Sequence, residues 1–225
     1  ELINNKEMIL HVYEAAKKTN IGEVYVATPD QKVIDLIIKN GGKAVLTSLD
    51  HLTGTDRIHE VFKIQLKNEP NIIINLQGDM PNIDPQAITH LVSYMNKGKC
   101  DIGTLASSFS SESELRDKNN VKVVVKEKLM TNNFFEATDF FRTSSKTHEN
   151  VYHHVGIYAF TNKALVRYVS LERSKLELER KLEQLRALEN DMSIHVGYIN
   201  SSPLSVDTKN DLIEVKKIME NNEQN

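Results

Sequence analysis

Strand-like and helix-like segments alternate through the first half of the chain, and this alternation constrains the fold more than any other feature. Glu7 to Lys18 (EMILHVYEAAKK) carries the spacing of an amphipathic helix, and Glu23 to Thr28 (EVYVAT) that of a strand. Gln31 to Lys39 predicts a helix that Gly41-Gly42 stops, and Ala44 to Thr47 a short strand. Thr55 to Lys67 is a helix, Asn71 to Leu76 a strand, and Pro85 to Asn96 a helix. Such β/α alternation, with continuous β-branched runs, predicts an α/β fold whose sheet is mainly parallel and covered on both faces. Ile72, Ile73 and Ile74 would each gain about 1.5–3 kcal/mol on full burial, and three in a row fit a central strand.

The second half is less regular. Val121 to Val125 and Val151 to Phe160 are strands, separated by the polar stretch Asn132 to Asn150 with Ser and Thr gathered at Thr143 to Thr147. That stretch reads as a loop, a lid or part of an inserted sub-domain. Lys175 to Glu189 predicts one helix with Leu178, Leu182, Leu185 and Leu188 on a single face. Ser193 to Ile199 is a strand, Thr208 to Met219 an amphipathic helix, and Glu220 to Asn225 a fraying tail.

Charge narrows the function. The chain of 225 residues has 28 Lys and Arg against 31 Asp and Glu, a net charge of −3. No basic cluster or aromatic-interleaved basic stripe occurs, which argues against nucleic acid. No apolar run approaches the roughly 20 residues a membrane helix needs. A lone cysteine, Cys100, excludes an internal disulfide and fits a reducing cytosol; with no neighbouring His it reads as a passive thiol.

Three stretches carry chemistry. In NLQGDMP, Asp79 stands two residues past an apolar strand run, where open parallel sheets bind ligands. Gly78 permits close backbone approach and Pro81 stiffens the turn. Asp79 reads equally as a turn residue capping the helix at Pro85. Asp207 follows SPLSV and precedes the last helix, where it or Thr208 is also a natural N-cap. Two carboxylates at such places suggest a hard-cation site, because Mg²⁺ takes one or two carboxylates and leaves other positions to water and phosphate. In LTGTDRIHE, Thr53-Gly54-Thr55 opens a helix whose amides can hold a base, ribose or phosphate; an ordinary cap is the plainer reading.

Taken together, TSLDHLTGTDRIHEV, IINLQGDMPNI, HHVGIYAF and LEQLRALEN, with SIHV and VDTKNDL beyond, resemble the 3-deoxy-manno-octulosonate (KDO) cytidylyltransferases, the CMP-KDO synthetases. The motifs run in that family's order across nearly the whole chain. The resemblance implies a three-layer nucleotide-diphospho-sugar transferase-like sandwich over residues 1–225. A smaller inserted region, roughly 108–155, would serve dimerisation. It implies transfer of CMP from CTP to KDO with release of pyrophosphate, for lipopolysaccharide, by a cytoplasmic Mg²⁺-dependent homodimer. Asp79 and Asp207 would be the catalytic metal ligands. Thr53, Gly54, Thr55 and Gly78 would contact CTP. Gln77, His154, Tyr158, Glu183 and Gln184 would contact KDO. By residue type alone, His154 reads as a satisfied core histidine, Glu183 and Gln184 as solvated surface, and Leu182 and Leu185 as core.

Three departures stand out. The family opens with a strand and a basic loop that grips the triphosphate, and the sequence from Glu1 holds no counterpart; the native protein is expected to carry one. Met80 replaces the acid of QGDEP, while Asp79 is kept. After VKVVV the family carries a Ser-Arg pair; here Glu136 of FFEATDFFR falls near the expected arginine, with Arg142 close by as a substitute. Two rivals share the motifs: a CMP-sialate synthetase, and a non-catalytic dimeric nucleotide-binding module. A glycosyltransferase is disfavoured because no Asp-x-Asp occurs.

Overall fold

A computed structural model describes residues 1–144 and 148–223, so residues 145–147 of the Ser/Thr cluster and 224–225 of the tail lie outside it. In chain order the elements begin with β1 Leu2–Ile3, β2 Lys6–Glu7, α1 Met8–Lys18, β3 Tyr25–Thr28, α2 Gln31–Lys39, β4 Lys43–Leu46 and α3 Gly54–Ile64. Then come β5 Ile72–Asn75, α4 Pro85–Met95, β6 Ile102–Ser107, α5 Glu112–Arg116, β7 Lys122–Val125, β8 Phe134–Phe141 and β9 Val151–Thr161. The chain closes with α6 Asn162–Ser170, α7 Lys175–Arg180, α8 Gln184–Leu188, β10 Ile194–Tyr198 and α9 Lys209–Glu223. Contacts group them into two compact units: residues 1–50, 77–89 and 203–225, and residues 51–76 and 90–202.

In the first unit β3 and β4 pair in parallel, Tyr25 opposite Lys43. Leu10, Tyr13 and Ile37 are buried there, with Ile9, Val24, Val26 and Val33 against them. Asp30 starts α2 by accepting from the Lys32 amide at 2.8 Å. Asn4 and Asn5, both at positive φ, turn the β1–β2 hairpin.

The second unit is built on a six-stranded sheet in the order β5-β9-β6-β10-β8-β7. It is mixed, which corrects the mainly parallel expectation. Only β10 and β6 run parallel, whereas β9 runs antiparallel to β5, β6 and β7. β5, expected to be central, stands at the end of this order beside β9. Its isoleucines alternate in burial, Ile73 inward and Ile72 and Ile74 half-buried. Phe62, Ile73, Ile102, Phe140, Leu165 and Leu185 share the core.

Two further expectations need correction. FFEATDFF, inside the stretch read as irregular, is the strand β8, paired with β7 and β10. The single helix from Lys175 to Glu189 is two, broken where Lys181 turns left-handed at φ 55°. Leu182 and Leu185 are buried, but Leu178 is exposed. The break lets α8 fold back, and a buried ion pair holds it: Arg186 Nε and Nη2 donate to Glu177 Oε2 and Oε1 at 2.8 and 2.7 Å. Burial works to raise the Glu177 carboxyl, but its bonds to Arg186 and Arg173 outweigh this and hold it below the usual range.

Candidate active site

In the first unit, the chain leaving β5 passes Gln77 and turns at Gly78-Asp79. A Cβ on Gly78 would approach Ile9 Cδ1 to 2.8 Å, so the turn packs closely on α1, and a larger residue would make the Ile9 side chain shift. Met80 and Pro81 are buried behind the turn. The segment 204–206 runs against it. Ser205 Oγ donates to Asp79 Oδ2 at 2.9 Å, the Val206 amide to the Asp79 carbonyl at 2.9 Å, and the Leu204 amide to Asn82 Oδ1 at 2.9 Å. Asp79 Oδ1 is buried and has no hydrogen-bond partner. Burial lifts the Asp79 carboxyl above the ordinary carboxylate range; the Ser205 bond opposes the lift and the charge of Asp207 adds to it.

Asp207 lies in the same unit, exposed. Of the two cap candidates for α9, Thr208 is the cap. Its Oγ1 accepts from the Asp211 amide at 3.3 Å, while Asp211 Oδ2 accepts from the Thr208 amide at 2.7 Å. Asp79 and Asp207 thus offer only oxygen, one atom of it buried and unpaired. These donors fit a hard cation whose remaining positions go to phosphate and water. Among the described residues no group of three or more His, Cys, Asp and Glu could hold an ion alone.

The second unit brings together residues that the sequence scatters. Thr55, Tyr158, Tyr168, Glu183 and Gln184 line one cavity with Ile102 and Phe160. Thr53 caps α3, accepting from the Asp56 amide at 3.1 Å, so the ordinary-cap reading of this stretch holds. The Thr53 and Thr55 hydroxyls also reach the Glu183 carboxylate, whose Oε2 is buried without a partner. Burial raises that carboxyl, and the two hydroxyls hold the rise back. Gln184 is 5 % exposed and Glu183 half-buried, so neither is solvated surface.

His154 and Tyr158 sit on β9 with ring centres 5.4 Å apart, across the irregularity where Thr104 faces Tyr158 and Leu105 faces Val155. His154 is buried; its Nε2 lies 2.9 Å from Thr104 Oγ1, and Phe140 meets its ring edge-on. Burial pushes its pKa down to about 3, so the ring is neutral at physiological pH.

Sequence reasoning missed three contributors. Asn75 Nδ2 donates to Thr55 Oγ1 at 3.3 Å, and the signal was there: a buried amide ends an otherwise apolar strand. Tyr168 donates to the Glu183 carbonyl at 2.9 Å while Arg186 lies over its ring at 4.5 Å. Ser205 carries no local signal.

The cytidylyltransferase family profile matches residues 1–194. The 3-deoxy-manno-octulosonate cytidylyltransferase of Bartonella tribocorum is 42 % identical over 219 residues, covering 96 % of this chain and 89 % of its own. The chain belongs to the 3-deoxy-manno-octulosonate cytidylyltransferase family. A solved CMP:2-keto-3-deoxy-manno-octonic acid synthetase complexed with CTP superposes with a TM-score of 0.88 at 34 % identity, covering 99 % of this chain and 91 % of the other. An apo UDP-glucose pyrophosphorylase, 10 % identical, covers 99 % of this chain and 90 % of its own at a TM-score of 0.71 and shows the shared α/β nucleotide-diphospho-sugar transferase-like fold alone. As a cytidylyltransferase the chain is a nucleotidyltransferase. No helix among its described residues is long and apolar enough to cross a membrane.

Glu136, near the expected arginine, pairs with Lys126 on the exposed side of β8. Arg142 is committed to backbone, donating to the Lys118 and Asn119 carbonyls at 3.3 and 2.5 Å. Cys100 is buried beside Met95 and pushed up to about 12, chiefly by burial, which leaves it a thiol.

Proposed function

We propose that this cytidylyltransferase transfers CMP from CTP to KDO, releasing pyrophosphate, and that Asp79 and Asp207 hold the Mg²⁺ it uses. The observation that carries the metal reading is the buried, unpartnered Oδ1 of Asp79, in a carboxylate that also feels the charge of Asp207. Thr53, Gly54, Thr55 and Gly78 are assigned to CTP, and Gln77, His154, Tyr158, Glu183 and Gln184 to KDO. Thr55, assigned to CTP, and Tyr158, Glu183 and Gln184, assigned to KDO, lie side by side around one small cavity, which supports a site where the two substrates meet.

The protein's part is positioning and charge. The anomeric hydroxyl of KDO attacks the α-phosphorus in line, its O–P bond forming as the bond to pyrophosphate breaks and its proton passes to solvent. Two aspartates beside a triphosphate repel it; one like-charge pair at 4 Å costs about 4 kcal/mol at an effective dielectric of 20. When bound, Mg²⁺ supplies the positive charge that reverses this repulsion and draws charge from the α-phosphate. Neutral His154 offers sugar hydroxyls a dipole rather than a charge. Glu183 presents a carboxylate oxygen with no protein partner, able to accept from a sugar hydroxyl. No covalent nucleophile is required. The reading extends to a cytoplasmic homodimer serving lipopolysaccharide synthesis, with dimerisation through the region 108–155.

Incubation of the full protein with CTP, Mg²⁺ and either KDO or a sialic acid, followed by mass spectrometry, tests the reading. CMP-KDO is the expected product; CMP-sialate in its place, or nucleotide binding without turnover, establishes one of the rivals.

A further inference from the structure

We propose that Ser205 is a positioning residue for the cation site, fixing the Asp79 carboxylate so that Oδ1 is the atom presented to the ion. This rests on the metal reading above. Ser205 lies in a strap tied to the Asp79 turn at three points: its own hydroxyl to Oδ2, the Val206 amide to the Asp79 carbonyl, and the Leu204 amide to Asn82 Oδ1, each at 2.9 Å. The two backbone ties set where the strap runs. They do not set which way the carboxylate faces, because its terminal torsion is soft. The Ser205 hydroxyl does that, beside a contact of the carboxylate with the Asp79 backbone itself. It occupies Oδ2 and leaves the buried Oδ1 as the oxygen without a protein donor.

A hydroxyl suits this task. A lysine or arginine would hold the carboxylate more tightly but neutralise the charge an ion needs, whereas serine orients and leaves the charge in place. The strap then runs straight on to Asp207, so one short segment supplies both the orienting group for the first aspartate and the second aspartate itself. Hydrogen-bonding partners of metal ligands commonly contribute about 10–100-fold in metal affinity.

The test is a Mn²⁺ titration of the full protein without nucleotide, read from the free-ion electron paramagnetic resonance signal, on wild type, Ser205→Ala, Ser205→Thr and Asp79→Asn. Ser205→Ala is expected to bind about 10–100-fold more weakly. Ser205→Thr, which keeps the hydroxyl, should restore most of that loss. The metal-free melting temperature of Ser205→Ala should match wild type, since its strap keeps both backbone ties. In turnover, the Mg²⁺ concentration giving half-maximal rate should rise by the same factor with KM for the sugar unchanged. Wild-type Mn²⁺ affinity in Ser205→Ala, with binding lost in Asp79→Asn, overturns the positioning role alone. Wild-type affinity in Asp79→Asn overturns the metal reading and this inference with it.

Discussion

The hydroxyl of Ser205 donates to the carboxylate of Asp79 across 2.9 Å, although 126 positions separate the two residues in the chain. With the Val206 and Leu204 amides beside it, this contact joins the QGD turn to the segment that leads into α9. It also explains how a carboxylate that burial holds above its ordinary pKa keeps a defined orientation.

The Glu177–Arg186 pair is the fastening of the α7–α8 corner. Glu177 is fully buried and Arg186 only 3 % exposed, so Arg186→Ala leaves a carboxylate with Arg173 and the Ser174 amide as its remaining partners. Removing one member of a buried pair costs about 3–5 kcal/mol. Chemical denaturation should show a loss in that range; a change within experimental error would mean that Arg173 and the Ser174 amide suffice.

Lys122 is buried, and its amine donates to the carbonyls of Asp117, Asn120 and Arg142 at 2.5, 3.0 and 2.9 Å. Methionine fills the same volume and donates nothing. Lys122→Met should cost about 3 kcal/mol or more, because each stranded acceptor costs roughly 1–3 kcal/mol. Equal denaturation midpoints for variant and parent would show that water replaces the amine.

Gly197 lies under the ring of Phe134. A Cβ there would meet Phe134 Cζ at 2.3 Å, and that ring already stacks on Tyr94 with centres 3.8 Å apart. Gly197→Ala is expected to destabilise by about 1–3 kcal/mol through overpacking. A thermal melt no lower than wild type would show that Phe134 moves freely.

Acid should weaken the fold through two groups with opposite chemistry. The His154 pKa is depressed, so the unfolded chain binds a proton that the folded one refuses. Stability therefore falls as pH drops from about 6.5 toward 3, by about 1.4 kcal/mol per pH unit in mid-window. Glu177 is also held below its ordinary value, and its contribution, full above the unfolded carboxylate pKa, is lost as pH falls through the folded one. Against His154→Asn, wild type should show the steeper acid dependence between pH 6 and 4.5 in urea titrations. Parallel slopes would place the His154 ring in a more polar setting than its burial indicates.

Periodicity made most helices and strands legible, because apolar spacing reports directly which face is covered. Strand direction was not legible. β/α alternation suggested parallel pairing, yet β9 threads antiparallel between β5 and β6, and no local pattern encodes that. β8 hid because Asp139 and Glu136 break its apolar run; their partners Arg180 and Lys126 lie elsewhere in the chain. The break at Lys181 hid for the opposite reason. KLELERKLEQLRALE is good helix sequence throughout, and the Glu177–Arg186 pair overrides that propensity. For the site, the acids and threonines were visible through motif order. Ser205, Tyr168 and Arg186 act through contacts made only in the folded chain.

The central claim is that two carboxylates, Asp79 and Asp207, hold the ion on which CMP transfer depends. Its most direct test is the Mg²⁺-dependent turnover of Asp79→Asn and Asp207→Asn in the full protein, with circular dichroism to confirm that each folds. The account predicts folded variants that lose turnover, and an Asp79→Asn at least as stable as wild type without metal, since a buried charge has been removed. Either variant turning over CTP and KDO at the wild-type rate would contradict it.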